Sequence, residues 1–133
     1  MSTITFTGNL ADEPELRFTP SGRQVVRLTV IENRRRKTED GTDWEDAEPN
    51  VFRVQAWGTY AENITESCSK GDRVVVSGSV RTDRWTDKDS GDARTAQHVV
   101  ADEVAFSLKF HTVRATKATR PVPASEGDGP HGS

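Results

Sequence analysis

The sequence predicts an all-β domain, a small partly open barrel of five strands with one helix between the third and fourth. Three features point to it. Short runs of apolar residues alternate with polar ones at a period of two. One stretch alone, residues 59–70, repeats its apolar residues at helical spacing. Polar turns bearing glycine and proline separate the runs.

In order, Ile4, Phe6 and Leu10 alternate through the first strand, residues 3–10. Gly8 marks a bulge or a close approach there, and Pro14 ends the run. Glu15-Leu16-Arg17-Phe18 alternates again, Pro20-Ser21-Gly22 turns, and Val26, Leu28 and Val30 line one face of residues 24–31. Two strands joined so briefly read as a hairpin. Over residues 32–50 the apolar pattern stops, giving an expected long loop with Arg34-Arg35-Arg36-Lys37 at its start and Trp44 among acids. Loops of that length inside a domain are usually functional or mobile.

Residues 51–57 form the central strand. Phe52, Val54 and Ala56 make an apolar face, and Arg53, Gln55 and Trp57 make the opposite one. Thr59 with Glu62 has the capping-box spacing of a helix start. Tyr60, Ile64 and Cys68 form that helix's apolar stripe, and Gly71 is its expected stop. Val74, Val76 and Val80 point inward from residues 73–80, with Gly78 a second expected bulge, and residues 81–85 carry the strand outward. Residues 87–92 make a polar hairpin tip, and residues 95–106 return as the last strand. Across the whole barrel the order is three strands, one helix, two strands. That is the plan of the OB-fold, a Greek-key barrel that binds oligonucleotides on its strand 2–3 face and through its loops.

Residues 1–111 are therefore expected to be the domain. Residues 112–133 hold prolines, glycines and almost nothing large and apolar, and are expected to be a disordered tail. No apolar run is long enough to span a bilayer, and the N-terminus lacks the features of a signal peptide, so no membrane role and a cytoplasmic, nucleoid-associated location are expected. One cysteine excludes an internal disulfide framework. Cys68 reads first as a buried small hydrophobe, although a lone cysteine near a symmetry axis can meet its own copy.

The formal net charge is −3, unlike a typical non-specific nucleic-acid binder. A binding surface has to be a local basic stripe on an acidic body. Such a stripe is available where Arg53, Gln55 and Trp57 share a face and the Arg34–Lys37 run joins the same strands. A cation for phosphate and an indole for a base is what an unpaired strand requires. Trp85 sits at the outer end of a strand, an odd place for a core residue. Trp44 has two open readings, a stacking platform or packing onto its own domain. The acids that follow Lys37 are also able to neutralise the arginine run within the loop.

In order and spacing, Gly8-Asn9-Leu10, Pro14-Glu15-Leu16-Arg17-Phe18, Pro20-Ser21-Gly22, Trp57-Gly58, Lys70-Gly71-Asp72 and residues 81–87 (RTDRWTD) resemble the bacterial single-stranded DNA-binding proteins. The likeness spans residues 3 to about 108. It implies an OB-fold, usually a homotetramer, that wraps single-stranded DNA with little sequence preference in replication, repair or recombination. It also implies that Trp57 and Trp85 match stacking aromatics, and that Arg53, Lys70, Arg81 and Arg84 match basic positions near the strand. The chain departs from that pattern at Val51, where the family often has tryptophan, and near Arg36, where it often has an aromatic. Its last residues, Asp128-Gly129-Pro130-His131-Gly132-Ser133, differ from the acidic tip with a terminal aromatic that recruits replication proteins, which argues against such recruitment. Readings in other classes are an OB-fold protein-interaction module and an RNA-binding chaperone. No P-loop, H-E-x-x-H or Cys-x-x-Cys is present, and His98, His111 and His131 lack metal-ligand spacing. The chain reads as a non-enzyme without cofactor or metal.

Overall fold

The computed structural model describes residues 2–118. Six strands and one helix follow in the order β1 (Thr3–Leu10), β2 (Glu15–Phe18), β3 (Gln24–Lys37), β4 (Trp44–Trp57), α1 (Thr59–Ser67), β5 (Arg73–Thr86) and β6 (Ala93–Phe106). Five strands close a ring, because β1 pairs antiparallel with β5 and then with β3 through Asn9↔Ile31 and Leu10↔Val30. The sixth, β2, lies outside the ring on the free side of β3. The five-strand barrel expected from the sequence is this ring, and the Glu15–Phe18 run of the expected hairpin is the additional edge strand.

Alternation fills the interior. Val26, Leu28 and Val30 of β3, Val54 and Ala56 of β4, Val74 and Val76 of β5 and Val99 and Ala101 of β6 are buried in one cluster with Phe6 and Leu10. Phe52 completes the inward row of β4 and stacks on Phe6, with ring centroids 3.9 Å apart. Helix α1 contributes Ala61 and Ile64 to the same cluster, and Cys68 follows it into the core. Tyr60 ties the helix to β6: its hydroxyl donates to the Val104 carbonyl at 3.2 Å and accepts the Val104 N–H. Burial raises the pKa of the Cys68 thiol and that of the Tyr60 phenol, so both stay protonated at neutral pH.

Three local expectations are corrected. Residues 32–50 are not a loop. Strand β3 continues to Lys37 and β4 begins at Trp44, so the Arg-rich run and the acids after it form an antiparallel hairpin, with the pairs Lys37↔Trp44, Arg36↔Glu45, Arg35↔Asp46 and Arg34↔Ala47. The apolar pattern fails there because this part of the hairpin lies beyond the core and buries neither face. Second, the helix has no capping box: Gly58 is the N-cap, with no side-chain cap bond, and Thr59 is the first helical residue. Glu62 is drawn away to accept a hydrogen bond from the Gln24 amide. Third, the helix ends at Ser67, with Cys68 already extended, and Gly71 belongs to the turn that leads into β5.

Gly8 marks a close approach, and Gly78 sits both at a close approach and at the expected bulge. A Cβ on Gly8 would lie 2.5 Å from the Ile31 carbonyl oxygen, where β1 crosses to β3. A Cβ on Gly78 would lie 2.1 Å from the Val100 oxygen, next to the register shift that leaves Asp102 of β6 unpaired. After β6, residues 107–118 form no further strand or helix, and 112–118 are exposed. The remainder of the expected tail, 119–133, lies outside the described residues. Among those described, no helix is long and apolar enough to cross a membrane.

Gly78→Ala is expected to destabilise the fold by about 1–3 kcal/mol, the usual range for overpacking a tight site. Urea unfolding should show a lower midpoint at unchanged slope.

Candidate nucleic-acid interface

The outward face of the ring is set by register. On β3 and β4 the cross-strand pairs Val25↔Trp57, Arg27↔Gln55 and Thr29↔Arg53 put Trp57, Gln55 and Arg53 on one side, opposite the buried Val54 and Ala56. On β5 and β6 the pairs Arg81↔His98, Asp83↔Ala96 and Trp85↔Arg94 share the side opposite Val80 and Val99. Strands β4 and β6 join in parallel at Val54↔Val99 and Gln55↔Val100. One residue back along each strand, Arg53 and His98 become neighbours. A transverse band therefore runs Thr29, Arg53, His98, Arg81 across four strands.

An open groove of ≈ 380 Å³ lies on this band, lined in part by Arg27, Arg53, Gln55, Gln97 and His98. Its wall also carries acids, Asp12 and Glu13 from the β1–β2 connection, Glu15 of β2 and Asp83 of β5. The groove is thus a mixed-charge surface rather than a purely basic one. Glu15 is already engaged: its carboxylate accepts from Arg17, which lowers its pKa. Asp83 sits 2.9 Å from Nδ1 of His98.

The three indoles differ. Trp57 is partly buried, and the guanidinium of Arg23 lies over its ring, 4.6 Å from the centroid. Trp85 is 50% exposed and Trp44 is 53% exposed, so neither packs into the core. Trp44 pairs across the hairpin with Lys37, whose Nζ lies 5.8 Å from the ring centroid. A bulge decides the side that Trp44 takes. Between Glu32↔Asn50 and Arg34↔Ala47, Asn33 alone faces Glu48 and Pro49. Proline, lacking an N–H, suits such a position. Strand β3 keeps its alternation from Thr29 through Arg35 to Lys37, so by register Trp44 stands on the same side as Arg53. It continues the Arg53-Gln55-Trp57 row beyond the bulge.

The basic residues separate in the same way. Arg35 and Lys37 share that side, whereas Arg34 and Arg36 take the other. Arg36 is paired with Glu45 at 2.9 Å, a partial neutralisation within the hairpin. Arg34 and Arg35 make only long bonds, each 3.4 Å, to the Glu48 and Trp44 carbonyls. Arg81 and Trp85 share the outward side, and Arg84 takes the reverse. Lys70 is apart from the groove, exposed in the turn before β5, where its backbone N–H donates to Glu13.

Arg23, Arg27, Arg94 and His98 belong to the surface although sequence spacing did not single them out. Each is placed by cross-strand register or by a turn. The one available signal was the position of Arg23, directly after Pro20-Ser21-Gly22 and just before the strand that pairs with Trp57.

Comparison with known proteins bears on the family and the fold. The model of the "Single-strand binding protein family" matches residues 1–107. A single-stranded DNA-binding protein of Mycobacterium tuberculosis is 38% identical over 145 residues, spanning 99% of this chain and 88% of its own. The crystal structure of a small single-stranded DNA-binding protein from Streptomyces coelicolor superposes with a TM-score of 0.66 at 28% identity, over 80% of this chain and 94% of that one. A Plasmodium falciparum SSB solved with ssDNA has a TM-score of 0.69 at 17% identity, covering 80% of this chain and 95% of that one, which supports the fold.

Arg23→Ala should uncover the Trp57 indole. With Trp44 and Trp85 both replaced by phenylalanine, acrylamide quenching of the remaining indole is expected to increase. Unchanged quenching would mean the guanidinium does not shield the ring in solution.

Proposed function

Because the chain belongs to the single-strand binding protein family, we propose that it binds single-stranded DNA with little sequence preference by ring stacking and phosphate neutralisation on this outward face. It thereby protects unpaired strands in replication, repair or recombination. The observation that carries the reading is one outward face that brings together Trp44 and Trp85, both exposed, the partly buried Trp57, and Arg53, Gln55 and Arg81.

Stacking comes from Trp57, Trp85 and Trp44. A base over an aromatic ring contributes about 1–3 kcal/mol whatever the base, a range drawn from single-strand binders themselves. The Arg23 guanidinium already lies over the Trp57 ring, so a base stacks on the face this cation leaves free or displaces it. Arg53 and Trp57 are four residues apart on β4, roughly 13 Å along the strand, so phosphate and base contacts alternate along the row.

Phosphates are met by Arg53 and Arg81 on the band and by Arg35 and Lys37 along the hairpin. Arg34, Arg36 and Arg84 stand on the reverse side and Lys70 at the turn. They fit a strand that passes around the hairpin edges rather than across one flat face. The carboxylates of the groove wall repel phosphate. They suit base edges instead, where exocyclic amino groups donate, and the Gln55 amide offers both a donor and an acceptor. The homotetramer implied by the family resemblance would repeat this face on each subunit. We assign the chain no catalysis and no metal. Among the described residues no group of three His, Cys, Asp or Glu stands together to hold an ion.

Titration with oligo-dT is expected to quench indole fluorescence, with affinity falling as salt rises. Trp57→Ala and Trp85→Ala should each weaken binding by about 1–3 kcal/mol at little change in salt slope. Arg53→Ala should instead reduce the slope of log K against log salt by about 0.7. Binding that ignores both salt and the loss of the indoles overturns the reading.

A further inference from the structure

We propose that His98 is a proton-controlled residue of the binding face, so that the chain holds single-stranded DNA more tightly once its imidazole is protonated. This rests on the function proposed above.

The placement of His98 carries the inference. It lies at the centre of the transverse band, facing Arg81 across β5–β6 and flanking Arg53 across the parallel joint. Its ring lines the groove. The side chain is only 16% exposed, whereas its partner Asp83 is 59% exposed. The carboxylate is therefore what an incoming strand meets, and the imidazole stands behind it, 2.9 Å away.

The charges around the imidazole are nearly balanced. From β3, β4 and β5 come Arg27, Arg53 and Arg81. From the β1–β2 connection come Asp12 and Glu13, from β2 Glu15, and from β5 Asp83. Further along β6, Arg94 is turned to Asp87 at 3.2 Å. Arg17 of β2 already holds Glu15, so with a neutral imidazole the charges balance and the band carries no surplus positive charge where phosphate has to approach. One proton on His98 supplies that surplus and turns the exposed Asp83 carboxylate into half of an ion pair.

Imidazole is the side chain that ordinarily changes charge between pH 5 and 8. A phosphate beside it favours the charged form. By reciprocity, whatever protonation adds to DNA affinity, bound DNA adds to proton affinity. The sign follows: lowering pH strengthens binding, and binding favours the protonated imidazole. One unit charge added at a watery interface corresponds to about fourfold in affinity. It also steepens the slope of log K against log salt by up to about 0.7.

The test is indole-quench titration of the full chain with a dT oligomer at pH 8 and pH 6, at fixed and then varied salt. The wild type is expected to bind about fourfold tighter at pH 6 with the steeper slope. His98→Gln should give the same affinity at both values. His111→Gln is the control: its ring stacks edge-on against Phe106, away from the groove, and the pH response should survive its loss. Asp83→Asn leaves the imidazole in place and should bind tighter than wild type at pH 8. A wild type that binds at pH 8 but gains nothing at pH 6 overturns this inference alone, as does a His98→Gln protein that keeps the full response. Failure to bind the oligomer at any pH overturns the underlying function as well.

Discussion

Strands β4 and β6 meet in parallel over Val54↔Val99 and Gln55↔Val100, and this short joint closes the ring. Parallel pairs are slightly weaker per residue than antiparallel ones, and two of them hold little by themselves. The joint is kept shut by what lies beneath it: Val54 and Val99 are buried, packed in one cluster with Val26, Val30, Val76 and Ile64. Burying a valine contributes at least about 1.5 kcal/mol, so several together outweigh the hydrogen bonds of the joint. The outward face depends on this closure. The β3–β4 and β5–β6 hairpins are separated in the chain by the helix, and only where β4 touches β6 do Arg53 and His98 become neighbours. The apolar side of the joint thus determines which polar side chains stand together on the other.

Both hairpins extend past that core. From Asn33 to Lys37 on β3, and from Arg81 to Thr86 on β5, every residue is exposed. A two-stranded ribbon alone is marginal in water, so these arms rely on local devices. At one tip, the Thr38 hydroxyl and the Thr42 N–H donate to Asp40 and hold its pKa down to about 2. At the other, the Asp89 and Ser90 N–H groups donate to Asp87 and lower its pKa. The ion pairs along the stems, Arg36–Glu45 and Arg94–Asp87, are exposed. Pairs of that kind contribute about 0–1 kcal/mol, so a guanidinium gives up little in leaving its carboxylate for a phosphate. The tips fix the geometry of the arms, and the stems remain free to exchange partners.

How much of this was legible in the sequence follows from where the core reaches. Wherever a strand buries one face, alternation located it: Val26-Leu28-Val30, Phe52-Val54-Ala56 and Val74-Val76 all point inward as read. Beyond the core the same rule has nothing to detect, and the β3–β4 arm therefore resembled a loop. The signal present there was the basic run followed by Glu39-Asp40-Gly41 and then acids, a hairpin written in charge pairs rather than in apolar residues. The helix cap was misread because Glu62 has a stronger partner in Gln24, a residue distant in sequence. In the site, the Arg53-Gln55-Trp57 row was visible because one strand carries it. The proximity of Arg53 to His98 and the Arg23 guanidinium over Trp57 were not, since the first depends on the β4–β6 joint and the second on the register of β3 against β4.

The mixed charge of the groove bears on how such a surface grips. A chain of net charge −3 gains little from long-range attraction to a polyanion. Its affinity has to be generated at contact, by rings that stack without regard to salt and by guanidiniums that neutralise individual phosphates. Acids beside those guanidiniums weaken the phosphate contribution and leave the ring contribution intact. The balance shifts toward stacking, which accepts any base and demands only that the strand be unpaired, because a duplex hides the faces of its bases. If the proposed face is the binding face, the carboxylates of its groove wall serve discrimination: they would lower affinity for any phosphate backbone, paired or not, and so leave the exposed faces of unpaired bases to decide what stays bound.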